Sequence, residues 1–328
     1  MKKNIAIVTG GDSGEYEISL KSASVVYKHI DKNKYNAYLI TLKGKECLYK
    51  SENGDIIHVD KNDFSLFFDN RKILFDGVFI VIHGNPGENG KLQAYFDIIG
   101  LPYTSCDQTV SALTFDKNFC NRLVSSFGIL VPNSVFLNKN EKYSKSEIID
   151  EISLPCFVKP NNGGSSIGMS LVEKIDDLEE AINMAFQEDE GVLIENYIKG
   201  RELTCGIFKS DNKLIVLPLA EIISKNKFFD FEAKYNESLT DEIVPANVTE
   251  NIEIECKNIS AFLFKKLNCN GIVRFDYILT ENDELVFLEV NTIPGLTEES
   301  IVPKMLKEFG LSLNEFFSML LENMFSKK

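Results

Sequence analysis

Two carboxylates, an amide and an arginine stand at alternating positions in two apolar segments. Arg274 and Asp276 are separated by one residue, as are Glu289 and Asn291. Because side chains two positions apart leave the same face of a strand, each pair is expected to share a face. Two acidic oxygens and an amide suit Mg2+ bound beside substrate phosphates, and Arg274 adds charge that can stabilise a developing oxyanion. A surface ion pair is the structural alternative, but bare carboxylates in apolar strands are costly without a cation.

A lysine followed by a polar, glycine-rich stretch occupies residues 157–169. Lys159 ends a predicted strand, and the glycines after it let backbone N–H groups approach phosphate oxygens. Ser165 and Ser166 add hydroxyl donors. A plain hairpin would explain the glycines alone, but not the lysine at the strand end together with the carboxylates downstream. The stretch therefore predicts a phosphate-binding loop.

Two common nucleotide motifs are absent. Residues 84–91 end in Gly-Lys, but Asn85 and Leu92 stand where a P-loop needs glycine and a hydroxyl residue. The glycines at positions 10, 11 and 14 lack the spacing of a dinucleotide fingerprint. A conventional mononucleotide or NAD site is therefore disfavoured.

In combination, the motifs resemble those of D-alanine–D-alanine ligases of the ATP-grasp superfamily, from residue 5 to about residue 303. Six motifs in order carry the resemblance: Gly10-Gly11-x-Ser13-x-Glu15-x-x-Ile18-Ser19, His83-Gly84, Phe115-Asp116-Lys117, Lys159-Pro160 with Gly164-Ser165-Ser166-x-Gly168-Met169, Glu232-Ala233-Lys234-Tyr235, and Glu289-x-Asn291-Thr292-x-Pro294-Gly295.

The resemblance implies a nucleotide site. Lys117 and Lys159 would contact the ATP phosphates, with Ser166 in the same phosphate-binding loop. Glu195 and Glu202 would hold the adenine amino group and the ribose hydroxyls. Both glutamates flank a predicted turn between two strands, which agrees with the pattern of the residues.

The resemblance also implies two amino-acid sites. Glu15 would pair with the ammonium group of the first D-alanine, and Ser165 and Tyr235 would connect with Glu15. Lys234 and Ser300 would hold the carboxylate of the second substrate, and Lys234 would also reach the phosphates.

At the reacting centre, the resemblance assigns two Mg2+ ions to Asp276, Glu289 and Asn291, with Mn2+ as an acceptable substitute. Arg274 and the backbone N–H of Gly295 would stabilise the tetrahedral oxyanion. The implied reaction converts ATP and two D-alanine molecules to D-alanyl-D-alanine, ADP and phosphate through a D-alanyl phosphate, for peptidoglycan precursors.

The elements that position these residues follow from apolar periodicity. In the first hundred residues, strand-like runs at 5–8, 38–40 and 78–82 alternate with helical segments at 22–30 and 92–99. This alternation predicts an α/β domain with a parallel sheet covered on both faces. Residues 116–127 and 175–186 have helical spacing in the middle of the chain.

After residue 200 the pattern is rich in strands, at 202–208, 213–222, 272–279 and 285–290, and is interrupted by a helix at 253–267. An amphipathic helix from residue 313 to 324 is expected to cover its own core. The second half is thus α+β. The resemblance implies three ATP-grasp domains at 1–104, 105–199 and 200–328, with ATP between the last two.

A polar segment at residues 224–241, which carries Lys234 and Tyr235, is long for an idle connection. Because an acyl phosphate hydrolyses if water enters, we expect this segment to be a lid. D-lactate-using ligases of the family place histidine where this chain has Tyr235, which favours D-alanine as the second substrate.

Composition limits the class of protein. The chain has 328 residues and a formal net charge of -14, which disfavours nucleic-acid binding. Seven scattered cysteines lack the paired spacing of a disulfide scaffold or a zinc site. Short apolar runs predict neither a signal peptide nor a membrane span. A cytoplasmic protein with small-molecule substrates is expected, and a homodimer is compatible with the sequence.

Three alternative functions stay open. The same motifs suit a ligase that makes D-alanyl-D-lactate or one that makes D-alanyl-D-serine. A catalytically inactive nucleotide sensor on the same fold is a third alternative, which the full set of lysines, metal ligands and Arg274 disfavours.

Overall fold

A computed structural model describes residues 2–224 and 240–326 of the chain. The strands are β1 (Lys3–Gly10), β2 (Tyr35–Lys43), β3 (Glu46–Lys50), β4 (Ile56–His58), β5 (Leu66–Phe68), β6 (Arg71–Ile73), β7 (Gly77–Val81), β8 (Ser134–Asn138), β9 (Cys156–Pro160), β10 (Ser170–Val172), β11 (Gly191–Asn196), β12 (Gly200–Ser210), β13 (Lys213–Val216), β14 (Ala220–Ser224), β15 (Thr240–Ile243), β16 (Ile272–Thr280) and β17 (Leu285–Asn291).

The described helices are α1 (Tyr16–His29), α2 (Lys91–Ile99), α3 (Gln108–Phe115), α4 (Lys117–Ser126), α5 (Lys145–Ile152), α6 (Leu178–Glu188), α7 (Glu250–Lys266), α8 (Ile301–Phe309) and α9 (Leu313–Phe325). A 3-10 turn (Ile175–Asp177) precedes α6. Within the described ranges, no helix combines the length and the apolar content that crossing a membrane requires.

The N-terminal sheet has the strand order β4-β3-β2-β1-β7. Its centre is parallel, as predicted, since β1 pairs in parallel with both β2 and β7. The expectation of a wholly parallel sheet is wrong at the edge, where β3 and β4 pair antiparallel. The reason is local: β2 and β3 are joined by a tight turn at Gly44, which has a positive φ of 54°. Two residues suffice for a hairpin, whereas a parallel crossover needs a dozen or more.

Strand β1 is buried on both faces, which confirms that the sheet is covered on each side. Ile5 and Ile7 join the core that contains α1 and α9. Ala6 and Val8 join the other core, which contains α2. Alternate side chains of β1 therefore enter two different cores. This is why residues 5–8 are all apolar and do not alternate with polar residues.

The C-terminal helix α9 confirms the prediction of an amphipathic helix that covers a core, and it joins two sheets. Phe317 meets Phe79 of the N-terminal sheet with ring centroids 5.5 Å apart. Phe316 meets Phe208 of β12 at 5.0 Å. A capping box at Ser312 and Glu315 starts the helix. The last helix thus binds the N-terminal sheet to the sheet that carries the predicted metal ligands.

Strands β5 and β6 pair with each other in a small antiparallel sheet, and two larger sheets hold the remaining strands. One has the order β10-β9-β11-β8, and the other has the order β15-β14-β12-β16-β17, with β13 also paired to β12. The strand predicted at 213–222 is two strands, separated at Pro218. Proline has no N–H to donate to a ladder, so the chain bends there and re-pairs with β12 further along.

All seven cysteines are buried free thiols, as their spacing indicated. Burial raises the pKa of Cys205 to about 12 and that of Cys156 to about 11. Since the thiolate is the reactive form, these side chains act as small apolar groups in the cores.

Replacing Phe317 with alanine tests the junction made by α9. Phe317 is fully buried, so Phe317→Ala should lower the free energy of unfolding by about 3–5 kcal/mol. The measurement is equilibrium urea denaturation. Phe309→Ala is the matched control, because Phe309 is 48% exposed and should change stability by about 0.5 kcal/mol. Equal effects of the two changes would contradict the proposed role of α9.

Candidate active site

Two clefts share part of their lining at the junction of the described sheets. The first, about 430 Å3, lies between the four-stranded and six-stranded sheets and is lined by Lys159, Glu195, Glu202 and Asp276 among others. The second, about 750 Å3, faces the N-terminal sheet and contains Glu15, His83, Arg274 and Ser300. Both are lined by Lys117, residues 163–165 and Glu289. Groups at this junction can therefore contact ligands in both clefts.

The predicted phosphate loop at residues 161–168 lies over the junction. Ser165 and Ser166 have positive φ values of 54° and 56°, so the loop turns sharply there. The Ser165 hydroxyl donates to Oε1 of Glu15 at 2.5 Å. A Cβ on Gly164 would lie 2.8 Å from Oε2 of Glu15, so a side chain there would displace the Glu15 carboxylate. The structure thus brings together Glu15 and Ser165, which are 150 residues apart.

Two of the predicted nucleotide residues pair in the first cleft. Nζ of Lys159 lies 2.5 Å from Oε2 of Glu195, and the Glu195 side chain is buried while that of Lys159 is half-buried. Oε1 of Glu195 accepts a hydrogen bond from Nδ2 of Asn121 at 3.0 Å. Nζ of Lys117 donates to the carbonyl of Gly163 at 2.6 Å. The family resemblance implied separate roles for Lys159 and Glu195, whereas adjacent strands β9 and β11 place them in contact.

The alternating pairs of β16 and β17 face one another across the hairpin. Arg274 lies opposite Asn291 in the register, and Asp276 lies opposite Glu289. Nε of Arg274 donates to Oδ1 of Asp276 at 2.9 Å, and its NH2 group donates to Oδ2 at 2.8 Å. The ion pair considered from the sequence therefore exists, but it is buried and not on the surface.

Burial opposes the positive charge of Arg274. Asp276, Glu289 and Glu202 outweigh this effect and raise the pKa of the guanidinium. Asp276 also accepts from Oγ1 of Thr204 at 2.6 Å. Arg274 is thus a permanent cation, oriented by a bidentate contact and directed at the second cleft.

The remaining predicted metal ligand is close to both carboxylates. Nδ2 of Asn291 lies 2.8 Å from Oδ2 of Asp276 and 3.5 Å from Oε1 of Glu289. No cluster of three or more His, Cys, Asp or Glu suited to a metal occurs in the part of the chain that the structure describes. Two carboxylates and an amide oxygen are an incomplete set, which fits a hard cation that also takes phosphate oxygens and water.

Gly295 and Ser300 lie together on the loop before α8. A Cβ on Gly295 would lie 2.8 Å from Oγ of Ser300. Oγ of Ser300 accepts from the N–H of Thr297 at 3.1 Å. On the same loop, Glu298 binds Nζ of Lys28 at 2.6 Å. Its carboxylate is therefore paired with helix α1 at the rim.

His83 is a buried residue of the second cleft, and no role was predicted for it. Its Nδ1 lies 2.7 Å from the carbonyl of Ile293, so Nδ1 carries the proton. Nε2, 3.1 Å from Oγ of Ser22, then accepts from that hydroxyl. Burial lowers the pKa of His83 and keeps the ring neutral. The His83-Gly84 motif marks His83 in the sequence. Its role could not be predicted from the motif, because the partners Ser22 and Ile293 are 61 and 210 residues away.

Lys234 and Tyr235 lie outside the described residues, as does most of the predicted lid. The strands at the ends of that segment are described, and β14 pairs antiparallel with β15. The roles assigned to Lys234 and Tyr235 stay predictions.

A cleft between two antiparallel sheets, covered by a serine- and glycine-containing loop, is the arrangement of the ATP-grasp fold. A family model described as D-ala D-ala ligase N-terminus matches residues 4–106, and one described as D-ala D-ala ligase C-terminus matches residues 123–322. The chain belongs to the D-alanine–D-alanine ligase family.

Individual relatives agree with this assignment. A D-alanine–D-alanine ligase of Bacteroides fragilis is 42% identical over 325 residues, which cover 99% of this chain and 100% of the relative. The crystal structure of the VanG D-Ala:D-Ser ligase from Enterococcus faecalis has a TM-score of 0.87 at 35% identity, covering 99% of this chain and 100% of that one. A D-alanine–D-alanine ligase from Bacillus anthracis, complexed with ATP, has a TM-score of 0.80 at 28% identity, covering 99% and 98%.

Because Arg274 compensates the buried Asp276 carboxylate, replacing Arg274 alone should destabilise the protein more than replacing both residues. Arg274→Met leaves a buried carboxylate without its guanidinium and should lower the free energy of unfolding by about 3–5 kcal/mol. Adding Asp276→Leu should recover most of that loss. Urea denaturation of the ligand-free protein measures both. Lys199→Met, which breaks an exposed pair with Glu281, is the control and should change stability by less than about 1 kcal/mol. An unchanged free energy of unfolding in Arg274→Met would contradict the conclusion that Arg274 compensates the charge of Asp276.

Proposed function

We propose that this chain joins two D-alanine molecules into D-alanyl-D-alanine, converting ATP to ADP and phosphate through a D-alanyl phosphate. The observation that carries the proposal is the junction of the two clefts at Lys117, residues 163–165 and Glu289. A nucleotide in the first cleft and an amino acid in the second would meet there. The product would serve as a peptidoglycan precursor.

The chemistry explains why both clefts are needed. A carboxylate is a poor electrophile, because oxide is a bad leaving group. Transfer of the γ-phosphoryl group to a carboxylate oxygen of the first D-alanine gives a mixed anhydride and ADP. The amine of the second D-alanine then attacks the carbonyl carbon, and phosphate leaves as the peptide bond forms. The protein must align the reactants and offset the negative charge.

Each substrate group has a complementary side chain in the proposed site. Glu15, fixed by the Ser165 hydroxyl, would accept the ammonium of the first D-alanine. Ser300, beside Gly295, would bind the carboxylate of the second substrate together with Lys234. Arg274 and the Gly295 N–H would stabilise the oxyanion that forms when the amine attacks.

The nucleotide would lie in the first cleft. Lys117, Lys159 and the backbone of the loop containing Ser166 would contact its phosphates, and Glu195 and Glu202 would contact the adenosine. Since Lys159 already pairs with Glu195, its charge is held in place before ATP binds.

Asp276, Glu289 and Asn291 would hold the Mg2+ ions, for which Mn2+ can substitute. Their two carboxylates and amide oxygen suit a hard cation, and they lie where both clefts meet. When bound, Mg2+ neutralises charge on the transferring phosphoryl group. The free thiols suit a reducing compartment, so we place the reaction in the cytoplasm.

D-serine is the second candidate for the second substrate, because the 35% identical VanG enzyme is a D-Ala:D-Ser ligase. The 42% identical ligase from Bacteroides fragilis favours D-alanine. Tyr235 favours D-alanine over D-lactate. A protonated imidazole at this position would repel the ammonium of D-alanine and leave D-lactate as the better substrate, whereas a neutral phenol does not repel it.

Product identification tests the proposal directly. With ATP, Mg2+ and equal concentrations of D-alanine, D-serine and D-lactate, mass spectrometry should detect D-alanyl-D-alanine as the main product at neutral pH. ADP release should require D-alanine. A dominant D-alanyl-D-serine product would instead support the second candidate, and absence of ADP release would refute ligase activity.

If Glu289 is a metal ligand, the isosteric change Glu289→Gln should strongly reduce turnover. Glu289→Gln removes a charged oxygen ligand and should reduce turnover at least a hundredfold, on the order of losing one key electrostatic group. The melting temperature should stay within a few degrees of wild type. Glu284→Gln, an exposed position on the same hairpin, is the control and should retain full activity. Near-normal turnover of Glu289→Gln at low free Mg2+ would exclude Glu289 as a ligand.

A further inference from the structure

The backbone N–H and C=O groups of Ile293 are both held by side chains of the loop that follows β7. Oε1 of Glu88 accepts from the N–H of Ile293 at 3.1 Å. Nδ1 of His83 donates to the carbonyl of Ile293 at 2.7 Å. These contacts join residues more than 200 positions apart in sequence.

The segment held in this way leads into the proposed oxyanion site. Residues 292–296 follow β17 and belong to no strand or helix, so no ladder satisfies their backbone groups. Beyond Gly295, the N–H of Leu296 donates to Oγ of Ser22 at 3.3 Å. The Gly295 N–H therefore lies between two anchored residues, Ile293 and Leu296, and both anchors come from the N-terminal domain.

Glu88 has the chemistry that this position needs. Its Oε2 accepts from the N–H of Gly84 at 2.7 Å while Oε1 accepts from Ile293. Only a carboxylate presents two acceptor oxygens to two donors at this length, since a glutamine would turn an NH2 group toward one of them. Burial and the nearby Glu15 raise the pKa of Glu88 to about 7.

We propose that Glu88 is a positioning residue, which fixes the Ile293 backbone and so places the Gly295 N–H against the reacting carbonyl. This inference rests on the proposed function, because it needs an oxyanion to stabilise. Glu88 acts through the backbone of residues 293–295. His83 of the same loop and Ser22 of α1 make further contacts to this segment.

The test compares Glu88→Gln, Glu88→Asp and Glu88→Ala with wild type in steady-state ligation. A misplacement of about 1 Å costs on the order of a hundredfold in rate, so kcat should fall ten- to a hundredfold while the KM for ATP stays within twofold. Aspartate keeps the charge but is one methylene shorter and cannot reach both N–H groups. It should therefore fail as glutamine does. Asn89→Ala is the control, because the hydrogen bonds of the Asn89 side chain stay within the same loop.

Wild-type ligation is measured first, so that failure of the proposed function is recognised separately. With an active wild type, kcat within twofold for all three Glu88 variants overturns the inference. So does full activity of Glu88→Asp alone, which would assign the effect to charge and not to position. A rise in the KM for ATP matching the fall in kcat, with a lower melting temperature, would show a general loss of structure and also overturn it. Thermal denaturation of each variant supplies that last comparison.

Discussion

The antiparallel register of β16 and β17 is the constraint on which the site depends. It sets Asp276 opposite Glu289 and Arg274 opposite Asn291, with all four side chains toward the clefts. The opposite face of the same strands is core, where Phe275 is fully buried. A slip of one residue would exchange the two faces, and carboxylates would enter the core. The apolar face therefore enforces the placement of the polar one.

Burial of charge is the second consequence of that register. Asp276 is nearly inaccessible, and a bare carboxylate there would be strongly unfavourable. Arg274 compensates it with two hydrogen bonds, and the same contact orients the guanidinium. In the first cleft, Lys159 and Glu195 compensate one another in the same way. In the proposed reaction, these ion pairs fix the positions of Lys159 and Arg274 before the phosphates bind and the oxyanion forms.

The N-terminal domain completes the site because it is fused to the six-stranded sheet through a shared core. Helix α9 packs Phe317 on the N-terminal sheet and Phe316 on β12. This packing brings the loop of His83 and Glu88 onto Ile293, and it brings Glu15 to the loop of Ser165. A rigid connection matters, since the proposed reactants are bound by groups from both sides of the junction.

The sequence by itself determined the elements and the chemistry that depend on local pattern. Alternation by two predicted the shared faces of Arg274 with Asp276 and of Glu289 with Asn291, and helical periodicity predicted α9. The family follows from motifs, which are also local. Tertiary structure alone decided the bidentate Arg274 contact, the pair of Lys159 with Glu195, and the anchoring of Ile293 by Glu88 and His83. Arg274 and Asp276 share a strand, and only the fold brings their side chains into a bidentate contact, whereas the other partners lie on separate elements, up to 210 residues apart in the case of His83 and Ile293. Periodicity fixes which face a side chain leaves, whereas the partner it meets depends on how whole sheets and helices pack.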